Sequence, residues 1–265
     1  MEAQKHLLGR FSARLEGAGC VFPFEEAELL LRGASSAAEA EALLQRRVDG
    51  EPLEYVLGWA EFLGRRLRVV PGVFIPRRRT EFLASAALES ASRRSNPLIL
   101  DLCCGSGALS AVFAAALPQA ELHAADLSPE AVAAARSNLA GQARVHQGDL
   151  FEALPRRLRG SIDVVAANAP YVPTEQLPFL PREARIHEPA EALDGGWEGL
   201  ELLRRIAADA PEWLSRNGEL LVECSSGQAS DLARDFDAAG FDAAVRTDPD
   251  TGTAVVSGRL KSGLG

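Results

Sequence analysis

The stretch that decides the fold is Leu98-Ile99-Leu100-Asp101-Leu102-Cys103-Cys104-Gly105-Ser106-Gly107-Ala108-Leu109-Ser110. Its first five residues predict a buried β-strand, and the residues after Gly107 predict the start of a helix. Gly105 and Gly107 allow the backbone to turn tightly and to approach a ligand without a clash at Cβ. Because a helix N-terminus carries partial positive charge, this turn suits a carboxylate or a phosphate, although similar turns also occur without a ligand.

Apolar runs and helical patterns alternate along the chain from about residue 80 onward. This alternation predicts an α/β fold with a mostly parallel sheet that is covered on both faces. The predicted strands are 98–102, 121–125, 143–146, 162–167, 219–223, 241–247 and 254–257, and the predicted helices are 80–92, 107–116, 129–139, 199–215 and 227–239. The short link between the last two strands predicts an antiparallel hairpin. A Rossmann-like sheet with an antiparallel last strand is typical of S-adenosylmethionine-dependent methyltransferases.

The first part of the chain has a different pattern. Apolar residues at helical spacing between Leu7 and Leu15 predict one helix, and Pro23 is suited to begin a second. Ser36 is a candidate N-cap with Glu39 three residues later, which predicts a capping box for a third helix. Two short strands around a turn at Gly64 follow. We therefore expect a small helical domain over residues 1–58, a β-hairpin linker over 59–78 and a methyltransferase domain over 79–265.

The bulk composition limits the classes of function. No stretch of the 265 residues approaches the roughly 20 uncharged apolar residues of a membrane helix, and the polar start lacks the features of a secretory signal. We therefore expect a cytoplasmic protein that acts as a monomer. A net charge of −9 argues against binding nucleic acid by phosphate neutralisation. The four cysteines lack C-x-x-C spacing and the four histidines are scattered, so we expect no metal site.

The ends of the next two predicted strands add polar groups to the glycine turn. Asp126 follows this turn by about 20 residues, the spacing at which an acidic residue binds ribose hydroxyls in dinucleotide folds. At the following strand end, Asp149 can bind an adenine amine and Leu150 can cover the ring. The alternative is that both acids cap helices, although Ser128 is the better N-cap after Asp126. The predicted cofactor-binding residues are Cys103, Cys104, Gly105, Ser106, Gly107, Asp126, Asp149, Leu150 and Asn168.

The tetrad Asn168-Ala169-Pro170-Tyr171 directly follows the predicted strand 162–167. The carboxyl ends of parallel strands are where open α/β sheets bind ligands. The Asn168 side-chain oxygen can accept one N–H of a planar NH2 group, the Ala169 carbonyl can accept the other, and the Tyr171 ring can stack on the amide plane. An amide nitrogen is a poor nucleophile, so holding it in a reactive orientation lowers the barrier. All four residues are predicted to be catalytic in methyl transfer to a planar nitrogen; the alternative is a proline turn whose Asn168 caps a loop.

The same residues identify a family that the chain resembles, the PrmC/HemK protein-glutamine methyltransferases, which modify the Gly-Gly-Gln glutamine of peptide chain release factors. The likeness spans nearly the whole chain. It implies that the tetrad binds the substrate glutamine, that Asp126 binds the ribose and Leu150 the adenine edge of S-adenosylmethionine, and that the N-terminal helices dock the release factor. The segments that carry it are found between Arg46 and Glu81 and at Asp101–Gly107, Gly148–Phe151, Asn168–Pro173 and Glu188–Leu200.

The chain departs from the family pattern at three places. Ala169 stands where the family usually has proline, Arg78-Arg79 replace a proline and an acidic residue, and Asp250–Thr253 replaces a charged pair. These changes leave open a paralogous methyltransferase for a different protein glutamine or another planar nitrogen, and a catalytically inactive cofactor-binding regulator. A nicotinamide oxidoreductase is a further alternative, but it gives the tetrad no purpose. The basic run Arg77-Arg78-Arg79 is either a solvated turn or a functional patch.

Overall fold

The computed structural model describes residues 2–261. The expected domain ends at residues 1 and 262–265 lie outside the described residues. Within the described part of the chain, no helix is both long and apolar enough to cross a membrane.

Four helices form the N-terminal part and enclose a small apolar core of their own, which includes Phe11, Leu30 and Leu44. The Ser36 hydroxyl accepts from the Glu39 backbone N–H at 3.2 Å and caps the third helix, as predicted. The reciprocal half of the capping box is shifted by one residue, because the Glu39 carboxylate accepts from the backbone N–H of Ser35 at 2.7 Å. These helices are α1 (Glu2–Gly17), α2 (Pro23–Gly33), α3 (Ala37–Val48) and α4 (Leu53–Leu57).

A two-stranded hairpin follows, formed by β1 (Trp59–Phe62) and antiparallel β2 (Arg65–Arg68). Its two turn residues, Leu63 and Gly64, have φ angles of 46° and 71°. Positive φ at both positions is the geometry of a type I′ turn, whose twist matches that of the strands. The predicted hairpin with its turn at Gly64 is therefore confirmed.

The rest of the chain builds a seven-stranded sheet with helices on its faces. The strand order is β5-β4-β3-β6-β7-β9-β8, and neighbouring strands are parallel except that β9 runs antiparallel to both β7 and β8. The strands are β3 (Leu98–Leu102), β4 (Glu121–Asp126), β5 (Arg144–Gln147), β6 (Ile162–Ala167), β7 (Leu214–Ser225), β8 (Phe241–Asp248) and β9 (Thr253–Leu260); the helices are α5 (Glu81–Ala91), α6 (Ala108–Ala116), α7 (Pro129–Leu139), α8 (Arg182–His187), α9 (Glu201–Asp209) and α10 (Ala229–Ala238).

The predicted helix 199–215 is wrong at its C-terminal end. The helix α9 ends at Asp209, and after one 3-10 turn over 210–212 the strand β7 begins at Leu214. Pro211 accounts for this end, because proline has no N–H to continue the helix. Gly218 lets the longer β7 approach β6, since a Cβ there would lie 2.7 Å from the Ile162 carbonyl oxygen.

The strand order places the candidate residues together. The chain runs outward from β3 to β4 and β5 on one side and continues through β6 and β7 on the other. Ligands bind at such switch points, outside the carboxyl ends of the strands. The segments after β3, β4, β5 and β6 all meet at this one edge of the sheet.

Candidate active site

A cleft of about 590 Å³ opens at the carboxyl ends of β3, β4, β5 and β6. Most of the predicted site residues line it, whereas Gly107, Ala169 and Tyr171 do not. One further wall comes from the segment between the hairpin and α5, through Gly72, Phe74, Pro76 and Thr80. The predicted residues in the lining are Cys103, Cys104, Gly105, Ser106, Asp126, Asp149, Leu150, Asn168 and Pro170.

The glycine turn after β3 combines ligand approach with helix packing. Gly105 has a φ of 53°, and a Cβ there would meet nothing within 4 Å. Gly107 has a φ of 82°, and a Cβ there would lie 3.3 Å from the Ala135 Cβ and the Leu139 Cδ1 of α7. Gly107 therefore allows α7 to pack against the turn, while Gly105 faces the cleft.

Two residues that line the cleft have a backbone conformation that the sequence does not signal. Cys103 and Leu150 have φ angles of 60° and 45°, a region that residues with a Cβ rarely adopt. Such a conformation costs on the order of 1–3 kcal/mol and persists only where the surrounding structure enforces it. Cys103 directly follows β3, and Leu150 lies three positions after the end of β5.

Asp126 fastens the end of β4 to the glycine turn. One of its carboxylate oxygens accepts from the Gly105 N–H at 2.8 Å, and the other accepts from the Ser128 N–H at 3.0 Å. Ser128 caps α7 by accepting from the Ala131 N–H at 3.1 Å. Burial raises the pKa of Asp126, opposed by these backbone hydrogen bonds. Because each carboxylate oxygen can accept twice, Asp126 retains capacity for a ligand hydroxyl.

Asp149 and Leu150 occupy the end of β5 with different exposures. The Asp149 carboxylate accepts from the Arg205 guanidinium of α9 at 2.7 Å, and 42% of its side chain is exposed. Leu150 is buried, with 6% of its surface exposed. Arg205 also lines the cleft and was not predicted from the sequence.

Two further polar side chains in the lining have unusual surroundings. The Asp101 carboxylate of β3 is buried and accepts from the Ser110 backbone N–H at 2.9 Å and from its hydroxyl at 2.8 Å. Burial raises the pKa of Asp101 to about 6. The hydroxyl of Ser106 is also buried and has no hydrogen-bond partner within the described residues.

The Asn168 side chain has one end occupied and the other free. Its NH2 group donates to the Thr80 hydroxyl at 3.1 Å, while its side-chain oxygen accepts no hydrogen bond from the described part of the chain. Ala169 is 1% exposed, and its carbonyl likewise accepts no hydrogen bond there. The Asn168 side-chain oxygen and the Ala169 carbonyl oxygen are therefore both free to accept a hydrogen bond from a ligand.

Tyr171 is placed differently from what the stacking prediction requires. Its hydroxyl donates to the Glu223 carboxylate of β7 at 3.0 Å, and the Arg79 guanidinium lies 5.6 Å from the centre of its ring. Burial and the nearby Glu223 raise the pKa of Tyr171. The ring thus faces these two residues instead of the cleft.

The segment 193–199 holds the tetrad loop in place. The Val172 N–H donates to the Leu193 carbonyl at 3.1 Å, and the Gly195 N–H donates to the Val172 carbonyl at 2.8 Å. Gln228, which lies at the N-terminus of α10, donates from its side-chain NH2 to the Tyr171 carbonyl at 2.9 Å. The two backbones approach so closely that a Cβ at Gly195 would lie 2.7 Å from the Tyr171 Cα, which explains the glycine there. Neither Gln228 nor Glu223 was predicted from the sequence.

The basic run before α5 is paired with carboxylates. Arg77 forms an ion pair with the buried Glu188, and the Arg79 Nε lies 3.6 Å from the Glu223 Oε1. Arg78 is exposed. Two of the three arginines therefore serve contacts near the site, so the run is not simply a solvated turn.

The comparisons with known proteins agree with this architecture. Residues 99–189 match a family model described as "Methyltransferase domain". A solved methyltransferase from Pyrococcus furiosus aligns over 74% of this chain and 89% of that chain, with a TM-score of 0.55. The two sequences are 14% identical, so this likeness supports the fold alone. The chain has the Rossmann-like α/β fold of S-adenosylmethionine-dependent methyltransferases.

Relatives that align over most of the chain identify the family within this class of methyltransferases. The chain is 38% identical to the release factor glutamine methyltransferase of Geobacter sulfurreducens, across 84% of this chain and 78% of the relative. It is 35% identical to that of Deinococcus radiodurans, across 92% and 94%. A 4-amino-L-phenylalanine/4-methylamino-L-phenylalanine methyltransferase from Streptomyces pristinaespiralis is 38% identical across 74% and 69%. The chain belongs to the release factor glutamine methyltransferase family, which confirms the resemblance.

Proposed function

We propose that this protein transfers a methyl group from S-adenosylmethionine to the side-chain amide nitrogen of the glutamine in the Gly-Gly-Gln motif of a peptide chain release factor. The names of its full-length relatives support this substrate. The observation that carries the proposal is the orientation of Asn168 in the cleft. Its NH2 group is held by Thr80, so that its oxygen is available to an incoming N–H.

The strand ends fit the proposed cofactor, which when bound supplies a methyl group on a positively charged sulfonium. The cleft has the size of a small-molecule site, which is typically about 300–1,000 Å³. Asp101, Asp126 and Asp149 line it with carboxylates, and the buried Ser106 hydroxyl lacks a partner within the described residues. We assign cofactor binding to residues 103–107, Asp126, Asp149, Leu150 and Asn168, with Asp126 at the ribose, Leu150 at the adenine and Gly107 acting through the shape of the turn.

The tetrad is proposed to hold the acceptor amide. Asn168 accepts one N–H through its side-chain oxygen, and Ala169 accepts the other through its carbonyl, so the plane of the amide is fixed. Pro170 supplies an apolar wall of the cleft. Tyr171 braces the loop through Glu223, and stacking on the substrate requires its ring to turn toward the cleft.

The test is mass spectrometry of a class 1 release factor after incubation with this protein and S-adenosylmethionine. We expect a mass gain of one CH2 on the peptide that contains the Gly-Gly-Gln motif, located on the glutamine by fragmentation. A release factor whose glutamine is replaced by glutamate is the control and must gain nothing. Unmodified release factor, with cofactor binding demonstrated by calorimetry, would refute this substrate.

An aromatic amine is the second candidate acceptor. It is favoured by the likeness to the 4-amino-L-phenylalanine methyltransferase, because an aryl NH2 is also planar and offers two N–H groups to the same acceptors. Incubation with free 4-amino-L-phenylalanine in the same assay distinguishes the two. A turnover that exceeds the turnover with release factor would favour the aryl amine.

The N-terminal part is proposed to dock the release factor. We treat residues 1–58 as the docking domain, 59–78 as the linker and 79–265 as the methyltransferase domain. The docking domain exposes aromatic side chains, with 63% of Phe22 and 51% of Phe24 accessible. A Phe22→Ala, Phe24→Ala double variant is expected to raise KM for release factor and leave cofactor affinity unchanged. We further propose that the protein acts as a monomer in the cytoplasm, and sedimentation velocity tests its oligomeric state.

A further inference from the structure

A fully buried carboxylate lies behind the tetrad loop. Glu223, near the C-terminal end of β7, is 0% exposed and lies between the buried apolar residues Val222 and Cys224. Burying a carboxylate is costly unless it is paired and hydrogen-bonded. Among the described residues, four buried side-chain polar atoms lack a hydrogen-bond partner, and two of them, Glu223 Oε2 and Arg79 Nε, belong to the same cluster.

The two oxygens of Glu223 differ in their surroundings. Oε1 accepts from the Tyr171 hydroxyl at 3.0 Å and lies 3.6 Å from the Arg79 Nε. Oε2 is buried without a partner. The Arg79 guanidinium supplies a counter-charge to this buried carboxylate.

Thr80 connects this carboxylate to the cleft. Its hydroxyl is almost fully buried and accepts from the Asn168 NH2 at 3.1 Å. It directly follows Arg79, whose Nε lies 3.6 Å from the Glu223 Oε1, and the Thr80 side chain opposes the rise in pKa that burial causes in the Glu223 carboxyl. No hydrogen bond joins Thr80 to Glu223 in the structure, so the Glu223 Oε2 remains a free acceptor close to this hydroxyl. Because its oxygen already accepts from Asn168, the one hydroxyl proton is left to be donated elsewhere.

We propose that Glu223 is a positioning residue that accepts a hydrogen bond from the Thr80 hydroxyl on its unpartnered Oε2 and thereby decides which end of the Asn168 amide faces the cleft. The two ends of an amide have nearly the same shape, so hydrogen bonding sets their orientation. A hydroxyl that could rotate freely would accept the Asn168 NH2 or donate to its oxygen equally well. A Thr80 proton held by Glu223 leaves only acceptance, which turns the Asn168 oxygen toward the substrate.

This inference rests on the proposed function for its effect on turnover, but its structural part is tested without any substrate. The side-chain NH2 signals of Asn168 are recorded by NMR in ¹⁵N-labelled protein and assigned by their loss in Asn168→Asp. We expect hydrogen exchange of this NH2 to accelerate in both Thr80→Val and Glu223→Gln, and to stay near the wild-type rate in Thr80→Ser. Unchanged exchange in Thr80→Val and Glu223→Gln would overturn the proposal.

The kinetic part compares turnover with cofactor affinity. Thr80→Val and Glu223→Gln are expected to lower kcat about tenfold or more, the scale of a lost positioning contact, with the Kd for S-adenosylmethionine unchanged. Thr80→Ser keeps the hydroxyl and should restore most of the turnover. A loss of equal size in Thr80→Ser, or a loss confined to cofactor affinity, would contradict the proposal.

A matched control exists between the neighbouring helix α5 and β7. Ser90 of α5 donates its buried hydroxyl to the Glu219 carboxylate of β7 at 2.6 Å, outside the lining of the cleft. Ser90→Ala therefore removes the same kind of bond and should leave both kcat and the Asn168 exchange rate unchanged. Thr80→Val removes the Asn168 partner whether or not Glu223 acts, so Glu223→Gln decides the role of Glu223. If that variant does not fold, Glu223→Asp, which withdraws the carboxylate by one methylene, is measured in its place. If the wild-type protein does not methylate release factor, the proposed function fails while the NMR result still decides the orientation of Asn168.

Discussion

Gly195 lies directly against the backbone of Tyr171, and a Cβ added to Gly195 would stand 2.7 Å from the Tyr171 Cα. The same atom would stand 2.8 Å from the Pro170 carbonyl oxygen. Neither contact can be relieved by rotating a side chain, because both neighbours are backbone atoms. The position of the tetrad loop therefore depends on a glycine that lies outside the tetrad.

Gly195→Ala is expected to displace this loop and to lower turnover by about tenfold or more, since overpacking of this kind costs roughly 1–3 kcal/mol. Cofactor affinity should fall less, because most of the proposed cofactor residues lie on other strand ends. Steady-state kinetics and calorimetry measure the two effects. Gly227→Ala is the matched control, since the nearest atom to its added Cβ is 4.0 Å away. Full activity in Gly195→Ala would show that the loop adapts.

Asn168→Ala should lower turnover at least about 100-fold, which is the scale of losing one positioned hydrogen-bonding group. The Kd for S-adenosylmethionine should change much less, because the change removes only the proposed acceptor for substrate. Single-turnover methylation and calorimetry separate these quantities. Normal turnover in this variant would remove Asn168 from the proposed mechanism.

Asp126→Ala should weaken cofactor binding instead, by about tenfold or more, because it removes both a ribose acceptor and the bond that fastens Gly105. Titration calorimetry checks the expected change. Asp231→Ala, which removes a carboxylate from the exposed pair with Arg234, is the control. Equal affinity in the two variants would exclude the ribose role.

Ala169→Pro should leave or raise activity, because the carbonyl that serves as acceptor is retained. The Ala169 N–H donates no hydrogen bond within the described residues, so proline removes none. Proline also restricts the unfolded chain, which adds about 0.4–1 kcal/mol to the free energy of unfolding where the backbone fits. Turnover and urea denaturation test both parts. A large loss of turnover in a folded variant would contradict this account.

The stability of the protein should depend on Asp101 between about pH 4 and pH 6. Burial raises the pKa of Asp101 from 3.8 to about 6, so the folded state binds its proton more tightly than the unfolded state. This contribution is present below the unfolded pKa and is lost as pH rises through about 6, with a total on the order of 3 kcal/mol. Urea denaturation should show this loss in wild type and not in Asp101→Asn. Parallel pH profiles would refute the assignment.

The local elements were largely predictable from sequence because short-range patterns decide them. Ser36 and Ser128 cap their helices as expected, and Gly64 forms the hairpin turn. The start of β7 was missed because residues 215–218 are polar or glycine and show no alternation. Its pairing with β6 comes from the sheet, which no local pattern contains.

The contacts that orient the tetrad were not predictable, because they join distant parts of the chain. Glu223 and Arg79 come together only when β7 lies beside the segment before α5. One signal was present, since a carboxylate within an apolar strand is rarely buried without a reason. The left-handed backbone at Leu150 gave no signal, because leucine normally avoids it.

The wall formed by Gly72, Phe74, Pro76 and Thr80 has a consequence for recombining this protein with its relatives. The cleft is built partly from the segment that joins the hairpin to the sheet, so the Rossmann-like unit by itself does not contain the complete site. A chimaera that takes its N-terminal helices from another family member can keep this wall native only if the crossover lies before residue 72. A crossover after residue 72 would replace part of this wall with residues of the other protein, so it would alter the lining of the cleft as well as the N-terminal helices.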